Sequence, residues 1–197
     1  MAAPLGFSEQ TLEAFAASVA EETPAPGGGS VAAVVTGLAA ALVAMTARIS
    51  RQHWEGAAGA VAQAEALRAR VAPLADEDAE AYESVLAAMR MPKEVEPEVR
   101  DAVLGSALSR AAEIPLRIAE AAADVAELGA LVAAEGNPSL RGDAAAAAVL
   151  GEAAARIATN LVEINLATTQ EDERLGRARA LVTAACGAAK RAVAAGP

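Results

Sequence analysis

Pro24-Ala25-Pro26-Gly27-Gly28-Gly29-Ser30 runs into Val31-Ala32-Ala33-Val34-Val35-Thr36-Gly37-Leu38-Ala39-Ala40-Ala41-Leu42-Val43-Ala44-Met45-Thr46-Ala47, a stretch with no charged residue. Two prolines and three glycines bar a helix at its start. Ser30 reads as the N-cap of a helix that ends near His53. Val31, Val34, Leu38, Leu42, Met45 and Ile49 recur at three- and four-residue steps, while Ala33, Gly37 and Ala41 line a second, small-residue face. A helix apolar or small all round is buried in a bundle or at a subunit interface. A membrane span needs roughly 20 strongly apolar residues. The helical part here is short and made largely of Ala, Gly and Thr, so the segment is read as the core helix of a protein that does not enter a membrane.

The rest of the chain agrees with a helical reading. Of 197 residues 58 are alanine and aromatics make up only 2%, so the strand-forming side chains are scarce and the best helix former abounds. A mainly β fold is excluded. The net charge of −10 removes any general attraction for nucleic-acid phosphates. Cys186 is the single cysteine and His53 the single histidine, which rules out an internal disulfide, thiolate metal sites and HExxH zinc motifs. No metal is expected. With no basic segment ahead of an apolar run, no signal peptide is read and the cytoplasm is the expected location.

Glycine and proline punctuate the remainder into an antiparallel helical bundle, a single all-α domain over residues 1–197. Ser8 to about Ala20 is amphipathic. A segment from Ala57 to Arg90 is expected to kink at Pro73, and Met91-Pro92-Lys93 is a stop. A helix from about Pro97 meets Pro115, where it kinks or restarts, and continues to Glu135. Gly136-Asn137-Pro138 reads as a glycine C-cap with a proline stop. Asp143 to Thr169 and Glu171 to Ala195 supply the last helices. Alanine-rich helices bury little apolar area, so self-association, most commonly as a homodimer, is expected to enlarge the core.

Several residues break the helical pattern. In the stripe Val71, Leu74, Ala75, Tyr82, Val85, Met89, position 78 is Asp78, a carboxylate where a hydrophobe belongs. Either it is functional, or it belongs to the acidic first turn with Asp76, Glu77 and Glu80. Lys93 is one of two lysines, with Lys190; its default role is to complement a helix C-terminus. Asp143 reads by default as an N-cap, with Arg141 placed to pair with it or to bind an anion. Asn160 and Asn165 lie along the stripe Leu150, Ile157, Leu161, Ile164; Asn160 borders the core and needs partners, structural or a ligand. Gly27, Gly28, Gly29 and Ser30 expose N–H groups at a helix N-terminus, a site for an anion but not a P-loop.

Together these segments resemble the cyclodeaminase family of folate enzymes. The family includes the C-terminal domain of formiminotransferase-cyclodeaminase and stand-alone methenyltetrahydrofolate cyclohydrolases. The resemblance spans nearly the whole chain. It rests on Pro24 to Ala33, on Asp78-Ala79-Glu80-Ala81-Tyr82 leading to Ala88-Met89-Arg90-Met91-Pro92-Lys93, and on Gly136-Asn137, Arg141-Gly142-Asp143 and Asn160 to Leu166. Gly142 stands where the family has serine, and Ser50 to Gly56 lacks its usual Thr-Tyr-Gly-like sequence.

The resemblance implies an all-helical homodimer with folate between helices. It implies either closure of 5-formiminotetrahydrofolate with loss of ammonia, or interconversion of the methenyl and 10-formyl forms. The substrate, a tetrahydrofolate that can carry a polyglutamate tail, is the only cofactor-like molecule expected. Asp78 would supply the electrostatic or base role, Lys93 a proton to the departing nitrogen. Asp143 and Asn165 would hold the pteridine or orient the one-carbon unit, with Tyr82 and Asn160 also lining the substrate. Gly27 to Ser30 and Arg141 would meet the anionic glutamate tail. The competing class is a non-catalytic folate-binding or scaffolding dimer.

Overall fold

Pro97 opens the longest helix and Gly136 closes it, as the sequence requires. The computed structural model describes residues 6–167 and 171–195. Its helices are α1 (Leu12–Val19), α2 (Gly28–Ile49), α3 (Ala57–Val71), α4 (Leu74–Met89), α5 (Pro97–Glu135), α6 (Arg141–Asn165) and α7 (Glu173–Ala194), with no strand among the described residues. The 39-residue α5 is the axis: α2, α3, α4, α6 and α7 all pack on it. One apolar cluster extends from Ala32 on α2 to Ala192 on α7, with a satellite around Leu116, Val162 and Leu175.

The two internal prolines behave differently from each other. At Pro73 the expected kink is a full break: α3 stops at Val71 and α4 starts at Leu74, with Pro73 as its N-cap. Pro115 is buried inside an unbroken α5. A proline in a helix leaves the carbonyl four residues earlier without its N–H donor. That carbonyl belongs to Ala111, and the Asn165 side-chain amide donates to it at 3.0 Å. The tertiary neighbour replaces the missing helical hydrogen bond, and no restart is needed.

Which faces are buried is the main departure from the sequence reading. On α2 the inner face is Ala32, Ala33, Thr36, Ala39, Ala40, Val43, Ala44 and Ala47. Leu38 is 55% exposed and Ile49 51%, and Val31, Leu42 and Met45 are half-buried. On α6 the inner face is again alanine with Gly151, while Leu150, Ile157 and Ile164 face outward. The reason is close approach. A β-carbon on Gly151 would lie 2.8 Å from the Ala122 carbonyl, and one on Gly129 would lie 3.0 Å from the Ala148 nitrogen, so α5 and α6 touch backbone to backbone. Leu and Ile do not fit such a seam, and on α6 they face outward. Both helices are long and apolar enough to cross a membrane, yet 56% of α2's apolar window is buried within the bundle.

Helix starts also shift. Gly27, not Ser30, is the N-cap of α2, and Ser30 is fully buried in the first turn. α2 stops at Ile49 and a short 3-10 turn, Ser50–Gln52, leads to His53. At the first segment a 3-10 turn, Phe7–Glu9, precedes α1. α6 begins at Arg141 behind Leu140, so Asp143 sits exposed in the first turn and caps nothing. Thr169, where that helix was expected to end, lies outside the described residues.

Candidate functional site

The N-terminus of α2 receives the chain's own carboxylate. A β-carbon on Gly29 would lie 2.1 Å from Asp78 Oδ1 and 2.3 Å from its Cγ, so the absence of a side chain at Gly29 is what makes room for Asp78. Asp78 is half-buried on the first turns of α4. Burial pushes its carboxyl above the ordinary carboxylate range; the Ser30 backbone N–H, which favours the ionised form, only partly opposes this. The Ser30 hydroxyl also meets the carboxyl. It donates to the Ala75 carbonyl at 2.7 Å, which ties the first turn of α2 to the start of α4. The glycine loop offered by the sequence to an external anion is therefore filled, at Gly29 and Ser30, by an acid–base group with a shifted proton affinity.

Around this corner, α2 and α6 run antiparallel. A β-carbon on Gly28 would lie 3.9 Å from Ile157 Cγ2, and at the other end of α2 the Asn137 N–H donates to Ser50 Oγ at 2.8 Å. Asn160, one turn beyond Ile157, is exposed on the same open face of α6. Tyr82, one turn along α4 from Asp78, is exposed too. Gly27 to Ser30, Asp78, Tyr82, Ile157 and Asn160 thus gather at one end of the bundle. Asn165 is nearby on α6, but its amide nitrogen serves the Ala111 carbonyl.

The other predicted residues lie elsewhere in the chain. Eleven residues of α4 separate Asp78 from Met89, about 16 Å at the helical rise, and Lys93 lies beyond in the turn. Arg141 and Asp143 open α6, and Asp143 is fourteen residues from Ile157, about 21 Å along the axis. One chain therefore does not bring Asp78, Lys93 and Asp143 together. Arg141 Nε donates to the Ala133 carbonyl at 3.3 Å, which ties it to the end of α5. A β-carbon on Gly142 meets nothing within 4 Å, so there is room for the family's serine there.

A groove of about 1090 Å³ runs between α4 and the first half of α5, lined by the neighbours Glu77 and Ala81 but not by Asp78. Its lining carries Glu77, Glu80 and Glu98 with Arg110, and Glu77 is paired with Arg117. Sequence reasoning missed two residues at the site's supports: Ile157 as the neighbour of Gly28, and Ser50. Periodicity marks Ile157 only as core, and no local pattern reports either role, because both come from contacts between segments distant in sequence.

The fold and this corner define an all-helical protein with a half-buried carboxyl of raised proton affinity seated on a glycine-flanked helix N-terminus. The model of the formiminotransferase-cyclodeaminase family matches residues 11–184, and the chain belongs to that family. It is 30% identical to the methenyltetrahydrofolate cyclohydrolase of Methylorubrum extorquens over 79% of each chain. It is 33% identical to the formimidoyltransferase-cyclodeaminase of Sus scrofa over 82% of its own length but 31% of that longer protein. The crystal structure of formiminotetrahydrofolate cyclodeaminase from Thermotoga maritima superposes with a TM-score of 0.84, at 28% identity, covering 94% of this chain and 95% of that one.

Proposed function

We propose that this protein is a folate one-carbon enzyme acting at the 5,10-methenyl bridge of tetrahydrofolate, with no further cofactor, in the cytoplasm. The observation that carries the reading is the Asp78 carboxyl, held by Gly29 and Ser30 with its proton affinity raised by burial. A group so tuned takes and returns protons near neutrality better than an ordinary carboxylate. Its anionic form also balances the delocalised cation of the methenyl form.

In the hydrolytic direction, water adds to the methenyl carbon and loses a proton to Asp78. The carbon–N5 bond then breaks, the adduct's hydroxyl proton passes to N5, and the carbon stays on N10 as formyl. In the deaminating reaction, N10 bonds to the carbon of the protonated formimino group, and the C=N pair moves onto its nitrogen to give an amine. The N10 proton travels through Asp78 to the amine, which leaves as ammonia. Each reaction passes through its own tetrahedral adduct, bearing a hydroxyl in one and an amine in the other, and the same carboxyl serves both.

The separation of the predicted residues supports giving them different parts of the substrate. With the pteridine at Asp78 and Tyr82, the p-aminobenzoyl-glutamate extends along α4. Lys93 then suits the tail carboxylates, including those of a polyglutamate, better than the departing nitrogen. Arg141 and Asp143 enter from a second subunit. The open face of Leu38 and Ile49 with Leu150, Ile157 and Ile164 is covered in an isologous homodimer. Its twofold axis sets the N-terminal end of one α2 beside the C-terminal end of the other.

Mixing purified protein with methenyltetrahydrofolate and, separately, with 5-formiminotetrahydrofolate tests the function through the methenyl ultraviolet band. Loss of the band from the first substrate identifies a cyclohydrolase. Growth of the band with ammonia from the second identifies a cyclodeaminase. Saturable binding with neither change overturns catalysis and leaves a folate-binding scaffold.

A further inference from the structure

Ser50 follows directly on α2 and is fully buried. Its hydroxyl donates to the Thr46 carbonyl at 2.8 Å and accepts the Asn137 N–H at 2.8 Å. Its carbonyl accepts the N–H groups of His53 at 2.8 Å and Trp54 at 3.0 Å. A β-carbon at Gly136 would lie 2.8 Å from Ser50 Oγ, so Gly136 leaves the hydroxyl room to reach the turn. Asn137 in turn accepts from the Ser139 N–H at 3.0 Å, and four residues after Asn137 α6 begins at Arg141. One hydroxyl therefore joins the end of α2 to the turn that launches the Arg141–Asp143 corner.

We infer that Ser50 is a positioning residue for tetrahydrofolate binding: its bond to Asn137 fixes where Arg141 and Asp143 stand relative to α2. This inference rests on the proposed role of that corner. Neither Ser50 nor Asn137 reaches the reacting atoms. Their bond sets the register of α6's first turn against α2, the helix whose open face the second subunit covers. A slack turn would misplace two side chains without touching Asp78, so binding suffers and the chemical step does not.

The test removes the bond from either side. Ser50→Ala deletes the acceptor and leaves the Asn137 N–H without a partner. Asn137→Pro deletes the donor together with the side-chain cap on Ser139, and leaves Ser50 its Thr46 bond; φ of −62° at Asn137 and the extended Gly136 before it both admit proline, and Asn137→Ala, which loses the cap alone, is the control. KM and kcat are measured on folded, full-length protein, with Arg141→Ala and Asp143→Ala alongside. Each clamp variant is expected to raise KM about fivefold, the scale of one hydrogen bond, with kcat within about twofold. The double variant is expected to be no worse than the more affected single one. A merely structural bond would lower the folded fraction and leave KM unchanged, and that result overturns the inference. If Arg141→Ala and Asp143→Ala raise KM while both clamp variants do not, the positioning role alone fails. If Arg141→Ala and Asp143→Ala change neither constant, the corner's place in the site fails first, and the inference with it.

Discussion

Gly29 and Asp78 occupy one space: the position a β-carbon would take on the first is 2.1 Å from a carboxylate oxygen of the second. Gly29→Ala therefore must displace the carboxyl from the helix N-terminus. The expected outcome is a fall in kcat of about a hundredfold, on the scale of a misplaced catalytic group, and a stability loss of about 1–3 kcal/mol from overpacking. In an Asp78→Ala background the space is free, and Gly29→Ala should then cost little stability. Chemical denaturation of the four proteins checks the cycle, and additive losses would show that the two residues do not contend.

Asp78 also makes a prediction about pH. Its folded-state carboxyl is raised above the ordinary 3.8, chiefly by burial. The native state therefore holds this proton more tightly than the unfolded chain. Its contribution to stability is fully present below the unfolded value and is lost as pH rises through the folded one. Relative to wild type, Asp78→Asn should gain stability across the window just above 3.8 and keep that gain at neutral pH, while turnover falls. Melting curves from acid to neutral pH read the difference, and a constant offset would refute a raised proton affinity.

Asn165 and Pro115 are coupled through the Ala111 carbonyl. Asn165→Ala leaves that part-buried acceptor without its donor, at an expected cost of about 1–3 kcal/mol. Pro115→Ala restores the helical N–H, so the same Asn165 substitution made in that background should be nearly neutral in stability. If Asn165→Ala costs as much with alanine at 115 as with proline, the amide has another task.

The contrast between Asn165 and Asp78 shows what the sequence reveals. Helix ends were legible at Pro97, Gly136 and the Gly27–Gly29 loop, because glycine and proline act on their own backbone. Asp78 was legible as a charge in an apolar stripe. The inward faces of α2 and α6 were not. Periodicity marks Leu38, Leu150 and Ile157 as core, but all three are exposed, and on α6 the Gly129 and Gly151 contacts bring its backbone against α5 and turn the large side chains outward. Asn165's partner was hidden because the proline that needs it is fifty residues away in sequence, and Ser50 carried no signal at all.

Lys93 distinguishes a tail contact from a proton donor. At the far end of α4 from Asp78, its loss should weaken binding, not chemistry. Lys93→Met is expected to raise KM about fivefold and to flatten any preference for polyglutamyl over monoglutamyl substrate, leaving kcat within about twofold. A large kcat loss with unchanged KM would return Lys93 to the departing nitrogen.

The distance between Asp78 and Asp143 in one chain makes the strongest demand on the dimer. If Asp143 acts in the partner's site, each site needs Asp78 from one subunit and Asp143 from the other. Asp78→Asn, which lacks the acid–base group, and Asp143→Ala, assayed at a substrate concentration far below its raised KM, are then complementary. Random exchange of subunits makes half the dimers mixed, and each mixed dimer holds one intact site of two, so about a quarter of wild-type activity should return. Leu38→Glu, which puts a charge on the open face, should give monomers by sedimentation and abolish the recovery. If mixing restores nothing while both variants remain dimeric, Asp143 does not act across the interface, and its distance from Asp78 excludes it from the reacting centre altogether.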